Sequence, residues 1–257
     1  MSTRKPSIGG NWKMNLDTAG IKGLADDLLK VIDKPTTDAA DVTVFPPFPY
    51  LAPVAGAFRD AGSNIHVGAQ NAWAKPNGAF TGEVSLSMLK DVGVDTLLVG
   101  HSERRHVIGE SDVLVNEKLL AALEAGFEVV LAIGESLEQR EAGQTNAINA
   151  GQLGYGLAGV NASQMAHITV AYEPVWAIGT GKTATPEDAQ KAHAAIRSTL
   201  AFQYDQTIAD TVRIQYGGSM KPANAGDLLS QTDIDGGLIG GAALKADDFA
   251  AIVKASF

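Results

Sequence analysis

The sequence alternates short apolar runs with longer segments of helical periodicity, and the alternation continues along the whole chain. The short runs predict buried strands. The segments between them predict helices; Ile21, Leu24 and Leu28, for example, fall on one helical face. Strands that alternate with helices form parallel sheets, because parallel neighbours need a crossover connection. The predicted strands are residues 7–10, 41–45, 64–68, 96–100, 128–133, 168–172, 211–216 and 237–240.

Eight strand–helix units in 257 residues predict an α/β protein with the (β/α)8 barrel architecture. No Ser/Pro-rich linker and no shift of composition divides the chain, so residues 1–257 are expected to form a single domain. An open, doubly wound sheet is the alternative architecture, since it is built from the same alternation.

Composition excludes several classes of function. A formal net charge of −9, with no basic stripe, argues against a nucleic-acid partner. The absence of cysteine excludes disulfides and thiol nucleophiles. No run approaches the roughly 18 apolar residues of a membrane span, and the first residues lack the apolar core of a secretory signal. We therefore expect a cytoplasmic protein with no membrane partner.

Polar or glycine-rich segments follow five of the predicted strands. In a barrel the carboxyl ends of all strands meet at one face, so residues far apart in sequence converge there. Glycine-rich turns after the last two strands would present backbone N–H groups that suit a phosphate. Taken singly, each segment is more typical of a solvated charge or a tight turn; their common placement predicts a site. The candidate residues are Asn11, Lys13, His101, Glu103, Glu173, Ser219, Gly240 and Gly241.

Glu173 has the most informative surroundings of these residues. It follows the predicted strand 168–172, and Pro174 takes the chain out of the sheet. The loop 175–185 begins with apolar residues, contains glycines and ends at Thr185 and Pro186, which have the form of a helix start. A lone Glu-Pro is more often a surface turn, but an acid beside a loop of this kind suggests a catalytic base under a lid.

Two matches to nucleotide-binding motifs are rejected because the surrounding sequence does not fit them. The glycines at 154, 156 and 159 fit the dinucleotide pattern, but they follow a polar stretch rather than a strand. The letters GKT at 181–183 match the end of a P-loop, yet Trp176 occupies the position of its first glycine. Five scattered histidines without a metal-binding spacing indicate no metal site.

The segment from Gln70 to Glu83 is long for a connection in a compact domain, which indicates a function of its own. It carries Trp73 and Phe80, with Ala72 and Ala74, around an Asn-Gly turn. Such apolar side chains would be poorly hidden in a monomer, so we expect the segment to dock into a second copy of the chain. A local cover over the barrel mouth is the alternative.

Taken together, these segments show that the chain resembles the triosephosphate isomerase family over essentially its whole length. Several of the segments are nearly unique to that family in combination. They are GNWKMN at 10–15, GAQN at 68–71, GAFTGE at 78–83, GHSERR at 100–105, AYEPVWAIGTGK at 171–182, YGGS at 216–219 and GG at 240–241.

The resemblance implies interconversion of dihydroxyacetone phosphate and glyceraldehyde 3-phosphate without a cofactor, because only C–H and O–H bonds change. By resemblance Glu173 is the base that moves a proton between two carbons, and His101 donates to the carbonyl oxygens. Lys13 and Asn11 would stabilise the developing negative charge, and Glu103 would hold Lys13. A helix N-terminus beside His101 would lower the pKa of its imidazole and favour a neutral donor.

The same resemblance implies that backbone amides grip the phosphate, those of Gly179, Ser219, Gly240 and Gly241. The loop 175–185 would then close over the substrate and exclude water. Thr81, at the tip of the segment 70–83, would reach the site of the neighbouring subunit, which makes a homodimer.

Two other functions remain open at this point. A Schiff-base aldolase with Lys13 as nucleophile would also suit a phosphosugar barrel, and it predicts trapping of substrate on Lys13 by borohydride. An inactive phosphate-binding or scaffold protein is the non-enzymatic alternative. The presence of Glu173, His101, Lys13 and Asn11 together argues against it.

Overall fold

The computed structural model describes residues 4–177 and 184–257, and in them the chain forms a closed barrel of eight parallel strands. Neighbouring strands pair in sequence order, and the last strand pairs with the first. The predicted barrel is confirmed and the open sheet is excluded. The strands are β1 Ser7–Asn11, β2 Asp41–Phe45, β3 His66–Ala69, β4 Thr96–Val99, β5 Glu128–Ile133, β6 Ile168–Tyr172, β7 Arg213–Tyr216 and β8 Gly236–Ile239.

Helices follow the strands and surround the barrel. Within the part of the chain that the structure describes, none of them is both long and apolar enough to cross a membrane. They are α1 Thr18–Val31, α2 Lys34–Ala39, α3 Leu51–Asp60, α4 Leu86–Asp91, α5 Asp112–Glu124, α6 Leu137–Glu141, α7 Thr145–Gly156, α8 Pro186–Gln203, α9 Gln206–Thr211, α10 Pro222–Leu229 and α11 Ala246–Lys254.

Local sequence signals account for the start of several helices. Asp17 and Ser111 cap α1 and α5 by accepting a backbone N–H two or three residues into the helix. The predicted start at Thr185 is confirmed, because its hydroxyl accepts from the N–H of Asp188 while Pro186 takes the first helical position. Gly154 lies near the end of α7 rather than after a strand, so the dinucleotide pattern is rejected here too.

The predicted strand boundaries are wrong by two residues at two amino-terminal ends, and by one residue at ends of β1, β3, β4 and β8. Residues 64 and 65 precede β3, and the N–H of Ile65 donates to the hydroxyl of Ser63 instead of to a neighbouring strand. Thr211 is the last residue of α9 rather than the start of β7. Each segment is short and contains one polar and one apolar residue, and the alternation of polar and apolar residues does not by itself locate the start of a strand there.

Two layers of apolar side chains hold the barrel together. Strand residues that face outward pack against the helices in one large core. The inner layer packs inside the barrel, and Phe45 is its largest member. A Cβ on Gly68 would lie 2.3 Å from the ring of Phe45, so glycine is required where this ring crosses β3. The buried inner residues are Phe45, Leu98, Val130, Ala132, Ala171 and Leu238.

Candidate active site

Lys13 sits just beyond β1 in a backbone conformation that side chains rarely adopt, with φ of 53°. The Oδ1 of Asn11 accepts the N–H of Lys13 at 3.0 Å. The side-chain amide of Gln70 donates to the carbonyls of Lys13 at 2.9 Å and of Phe45 at 2.8 Å. Such a conformation costs on the order of 1–3 kcal/mol, so it persists because neighbouring strands hold it. Sequence reasoning assigned Gln70 only to the long segment, although it follows β3 directly.

His101 and Glu103 follow β4 and face Lys13. The Nζ of Lys13 lies 2.7 Å from Oε1 of Glu103. The backbone N–H of Glu103 donates to Nδ1 of His101 at 3.2 Å. Because Nδ1 accepts this bond, the proton of a neutral imidazole is on Nε2, the atom that faces Glu173.

Glu173 lies directly after β6 and is only 2% exposed. Its Oε1 lies 3.0 Å from Nε2 of His101, and its Oε2 accepts the backbone N–H of Ser102 at 2.8 Å. The carboxylate is therefore joined to the segment after β4 by two bonds, and the predicted convergence of β4 and β6 is observed.

The charges of this buried pair depend on each other. Burial raises the pKa of Glu173. The charge and hydrogen bond of His101, together with the N–H of Ser102, lower the pKa by more than burial raises it, so the net shift is downward. Burial lowers the pKa of His101, yet the charge of Glu173 and its hydrogen bond outweigh burial, and the net pKa is raised above 6.5. The expectation of a lowered pKa for His101 is therefore wrong, because the carboxylate of Glu173 lies beside its imidazole in this structure.

The barrel mouth opens into a cavity of about 730 Å³. Gly240 and Gly241 bring bare backbone to this cavity beside Lys13; a Cβ on Gly240 would lie 3.5 Å from Cε of Lys13. A small anion could therefore approach main-chain N–H groups and a cation together. The predicted site residues that line the cavity are Asn11, Lys13, His101, Glu173, Ser219, Gly240 and Gly241.

The predicted lid lies mostly outside the described residues, as does Gly179, the remaining predicted phosphate contact. Its described start is anchored to the barrel. The indole N–H of Trp176 donates to Oε1 of Glu135 at 3.0 Å, and the guanidinium of Arg140 lies 4.2 Å from the centroid of the indole ring. Glu135 is fully buried after β5 and also accepts from the hydroxyl of Tyr172 at 3.1 Å.

Thr81 is exposed and does not line the cavity of its own chain. Ala72, predicted to need cover from a second copy, is buried within the subunit at 1% exposure, whereas Phe80 is 41% exposed. Among residues 4–177 and 184–257, no group of three metal-ligating side chains could hold an ion.

Fold and site together define a class of protein: a (β/α)8 barrel whose rim places a buried carboxylate, an imidazole and an ammonium group around one anion-accepting cavity. A family model described as "Triosephosphate isomerase" matches residues 6–256. The chain belongs to the triosephosphate isomerase family.

Relatives from several bacteria match the chain from end to end. The triosephosphate isomerase of Carboxydothermus hydrogenoformans is 51% identical over 98% of this chain and 99% of its own length. The triosephosphate isomerase of Chloroflexus aurantiacus is 50% identical over 97% of this chain and 98% of its own length. The triosephosphate isomerase of Rhodopirellula baltica is 47% identical over 99% of this chain and 98% of its own length. The similarity therefore covers every segment of the rim.

Proposed function

We propose that this chain interconverts dihydroxyacetone phosphate and D-glyceraldehyde 3-phosphate through an enediolate. The observation that carries the proposal is the contact of Glu173 with His101 in the wall of one cavity, which Lys13 and the backbone of Gly240 and Gly241 also line. The reaction removes a proton from a carbon next to a carbonyl. It needs a base on one side of the substrate and stabilisation of the oxyanion on the other.

Glu173 is the base in this proposal. Its lowered pKa keeps it ionised at neutral pH, and its burial removes the water that would otherwise weaken it as a proton acceptor. To reach a substrate carbon, the carboxylate must break its hydrogen bonds to the N–H of Ser102 and to the imidazole of His101. That exchange releases Nε2–H of His101 to donate to the carbonyl oxygen of the substrate.

Lys13 and Asn11 complete the stabilisation of the oxyanion. The ion pair with Glu103 fixes the ammonium of Lys13 toward the cavity, so that its charge needs little reorganisation during the reaction. The backbone of Ser219, Gly240 and Gly241 would hold the phosphate on the opposite side. Only protons move between carbon and oxygen, so the chemistry requires no cofactor.

The aldolase alternative is less well supported by the site. A Schiff base needs an amine that is free to attack a carbonyl carbon, and the Nζ of Lys13 is instead held by Glu103 at 2.7 Å. A coupled isomerase assay on purified protein tests the proposal, with borohydride trapping alongside it. We expect turnover in both directions and no covalent product on Lys13; an inactive protein, or one trapped on Lys13, would contradict the proposal.

We further propose that the active form is a homodimer, as expected for the segment 70–83. The segments that follow β1 to β4 are neighbours around the barrel and expose several large apolar side chains. Thr81 is also exposed there and is free to enter a neighbouring site. The exposed apolar residues there are Met14, Leu16, Phe48, Phe80, Met88, Val107, Ile108 and Val113. The cytoplasm as the place of action stays a prediction from composition.

Substituting Met14 by Asp should therefore convert the protein to monomers. Met14 is 94% exposed in the single chain, and burying a carboxylate in an apolar interface is strongly unfavourable. Phe202 is 90% exposed on α8, far from these loops in the barrel order, and Phe202→Asp serves as the control. Sedimentation velocity should show monomers for Met14→Asp and dimers for Phe202→Asp. Dimers in both variants would show that Met14 does not lie in the interface.

Substituting Gly217 by Ala should displace Glu173. A Cβ at 217 would lie 2.7 Å from Cγ of Glu173, closer than carbon atoms approach in proteins. Because misplacing a reacting group by about 1 Å can cost about 100-fold, we expect kcat to fall roughly 10- to 100-fold. Gly226→Ala is the matched control, since a Cβ there meets no atom within 4 Å. Equal kcat in the two variants would show that Glu173 does not depend on this contact.

A further inference from the structure

Arg105 carries a buried charge that takes no direct part in the proposed reaction. Its side chain is only 8% exposed. Nε donates to the carbonyl of Gly100 at 2.6 Å, Nη2 donates to the carbonyl of Ala132 at 3.2 Å, and Nη1 donates to the carboxylate of Asp112. One guanidinium group therefore joins the end of β4, the end of β5 and the start of α5. A charge is costly to bury unless every donor is used, and here all three nitrogens are bonded.

The two carbonyls lie where the chain leaves the sheet. The ladder between β4 and β5 ends at the pair Val99–Leu131. Gly100 then turns away with φ of 73°, in the left-handed region that favours glycine. A Cβ on Gly100 would lie 2.7 Å from the carbonyl oxygen of Ala132 and 2.8 Å from Nη2 of Arg105. Main-chain carbonyls beyond the last ladder pair need other donors, and the guanidinium supplies one to each.

The turn at Gly100 sets the direction of His101, the next residue. Arg105 also bonds to the other side of His101, because its backbone N–H donates to the carbonyl of His101 at 3.1 Å. The imidazole between these two bonds has Nε2 at 3.0 Å from Oε1 of Glu173. Arg105 is not one of the described residues that line the active-site cavity, so any effect it has on the reaction passes through His101.

We propose that Arg105 is a positioning residue for His101: its guanidinium fixes the turn that points the imidazole toward Glu173 and the substrate. This inference rests on the proposed isomerase function, in which His101 donates to the carbonyl oxygen. Lysine cannot replace arginine in this role. A guanidinium group holds donors on three nitrogens at fixed angles in one plane, whereas an ammonium group has all its donors on one atom. Arg105→Lys therefore keeps the charge and loses the simultaneous bonds.

The test compares Arg105→Lys with the unmodified protein by steady-state kinetics and by NMR titration of His101. Because a displacement of about 1 Å can cost about 100-fold, we expect kcat to fall roughly 10- to 100-fold. The ratio kcat/KM should fall by the same factor, since the proposed phosphate contacts are unchanged. The charge of Glu173 raises the pKa of His101 against the effect of burial, so a displaced imidazole should titrate at lower pH. A lysine keeps the positive charge at position 105, so this shift reports displacement.

Arg197→Lys is the matched control. The side chain of Arg197 is also 8% exposed, and it donates to the carbonyls of Ala209 at 2.6 Å and Val212 at 2.9 Å and to the carboxylate of Asp233 at 2.6 Å. These contacts precede β7, at the end of the barrel away from the candidate active site. Both variants should melt at lower temperature, because each disturbs a buried ion pair. Only Arg105→Lys should change kcat and the pKa of His101.

Arg105→Lys with the kcat and the His101 pKa of the unmodified protein would overturn the inference. Equal losses of kcat in Arg105→Lys and Arg197→Lys would also overturn it, because they would show that lost stability is the cause. An unmodified protein without isomerase activity would overturn the proposed function instead. In that case the titration of His101 still decides whether Arg105 positions it.

Asp112→Ala decides the question if Arg105→Lys does not fold. This substitution releases Nη1 of Arg105 at the start of α5 and leaves the guanidinium in place. We expect kcat to fall. Asp247→Ala removes the same charge from the first turn of α11 and should keep the kcat of the unmodified protein. Equal kcat in these two variants would contradict the role of Arg105.

Discussion

The Glu173→Gln variant should turn over triose phosphate about 10²–10⁴-fold more slowly than the unmodified protein, the usual contribution of a positioned base. The carboxamide keeps the size of the side chain but cannot accept a proton from carbon. It retains one oxygen for the N–H of Ser102, which now lies 2.8 Å from Oε2, so the site should stay assembled. The kcat in each direction and the binding of inorganic phosphate are the measurements. We expect kcat to fall and phosphate binding to persist.

The same variant also tests the electrostatics of His101. The charge of Glu173 raises the pKa of His101 above 6.5 against the opposing effect of burial. Removing that charge leaves burial, which disfavours the imidazolium, so the pKa of His101 should fall below 6.5. NMR titration of the imidazole measures this shift. An unchanged pKa would mean that Glu173 is not its charge partner, and lost phosphate binding with normal kcat would contradict the role of Glu173 as base.

Lys13→Met should impair both substrate binding and turnover, because the proposed mechanism places its ammonium beside both the phosphate and the oxyanion. Removing one preorganised donor from such a site costs about 10²–10³-fold in kcat, and a cation should cost at least as much. We expect kcat/KM to fall by more than about 10³-fold. Steady-state kinetics and phosphate titration separate the two effects.

Lys245→Met is the matched control for that prediction. Lys245 lines the same cavity but is exposed, and its loss changes the net charge of the protein by the same amount. Long-range attraction of an anionic substrate therefore weakens equally in both variants. Similar kinetics in the two would show that Lys13 acts only through net charge, and the proposed role would be wrong.

Glu173 shows how much of the site was predictable. Its strand, the proline after it and the helix start at Thr185 are local patterns, and each was confirmed by the structure. Its closeness to His101 followed from topology, because parallel strands of a barrel end at one face whatever their separation in sequence. Its bond to the N–H of Ser102 was not predictable, since every residue carries a backbone N–H and no letter marks the one that is used.

Other features depended on distances that sequence patterns do not contain. Gln70 holds the unusual backbone of Lys13 from a separate loop, although glutamine in a loop is ordinarily a solvated side chain. The direction of the pKa shift of His101 was predicted wrongly, because a helix start is visible in the sequence while a carboxylate 3.0 Å from Nε2 is not.

The sequence by itself determined the number and order of the strands, the helical crossovers between them and the strand ends that carry polar groups. These properties are periodic or local, so they can be read without coordinates. The tertiary structure alone decided which atoms meet: the two bonds of Glu173, the ion pair of Lys13 and the bonds of Arg105 to two strand ends. The strength of a hydrogen bond and the size of a pKa shift depend on distances between atoms that differ by a few tenths of an ångström to a few ångström. Only the folded chain sets those distances.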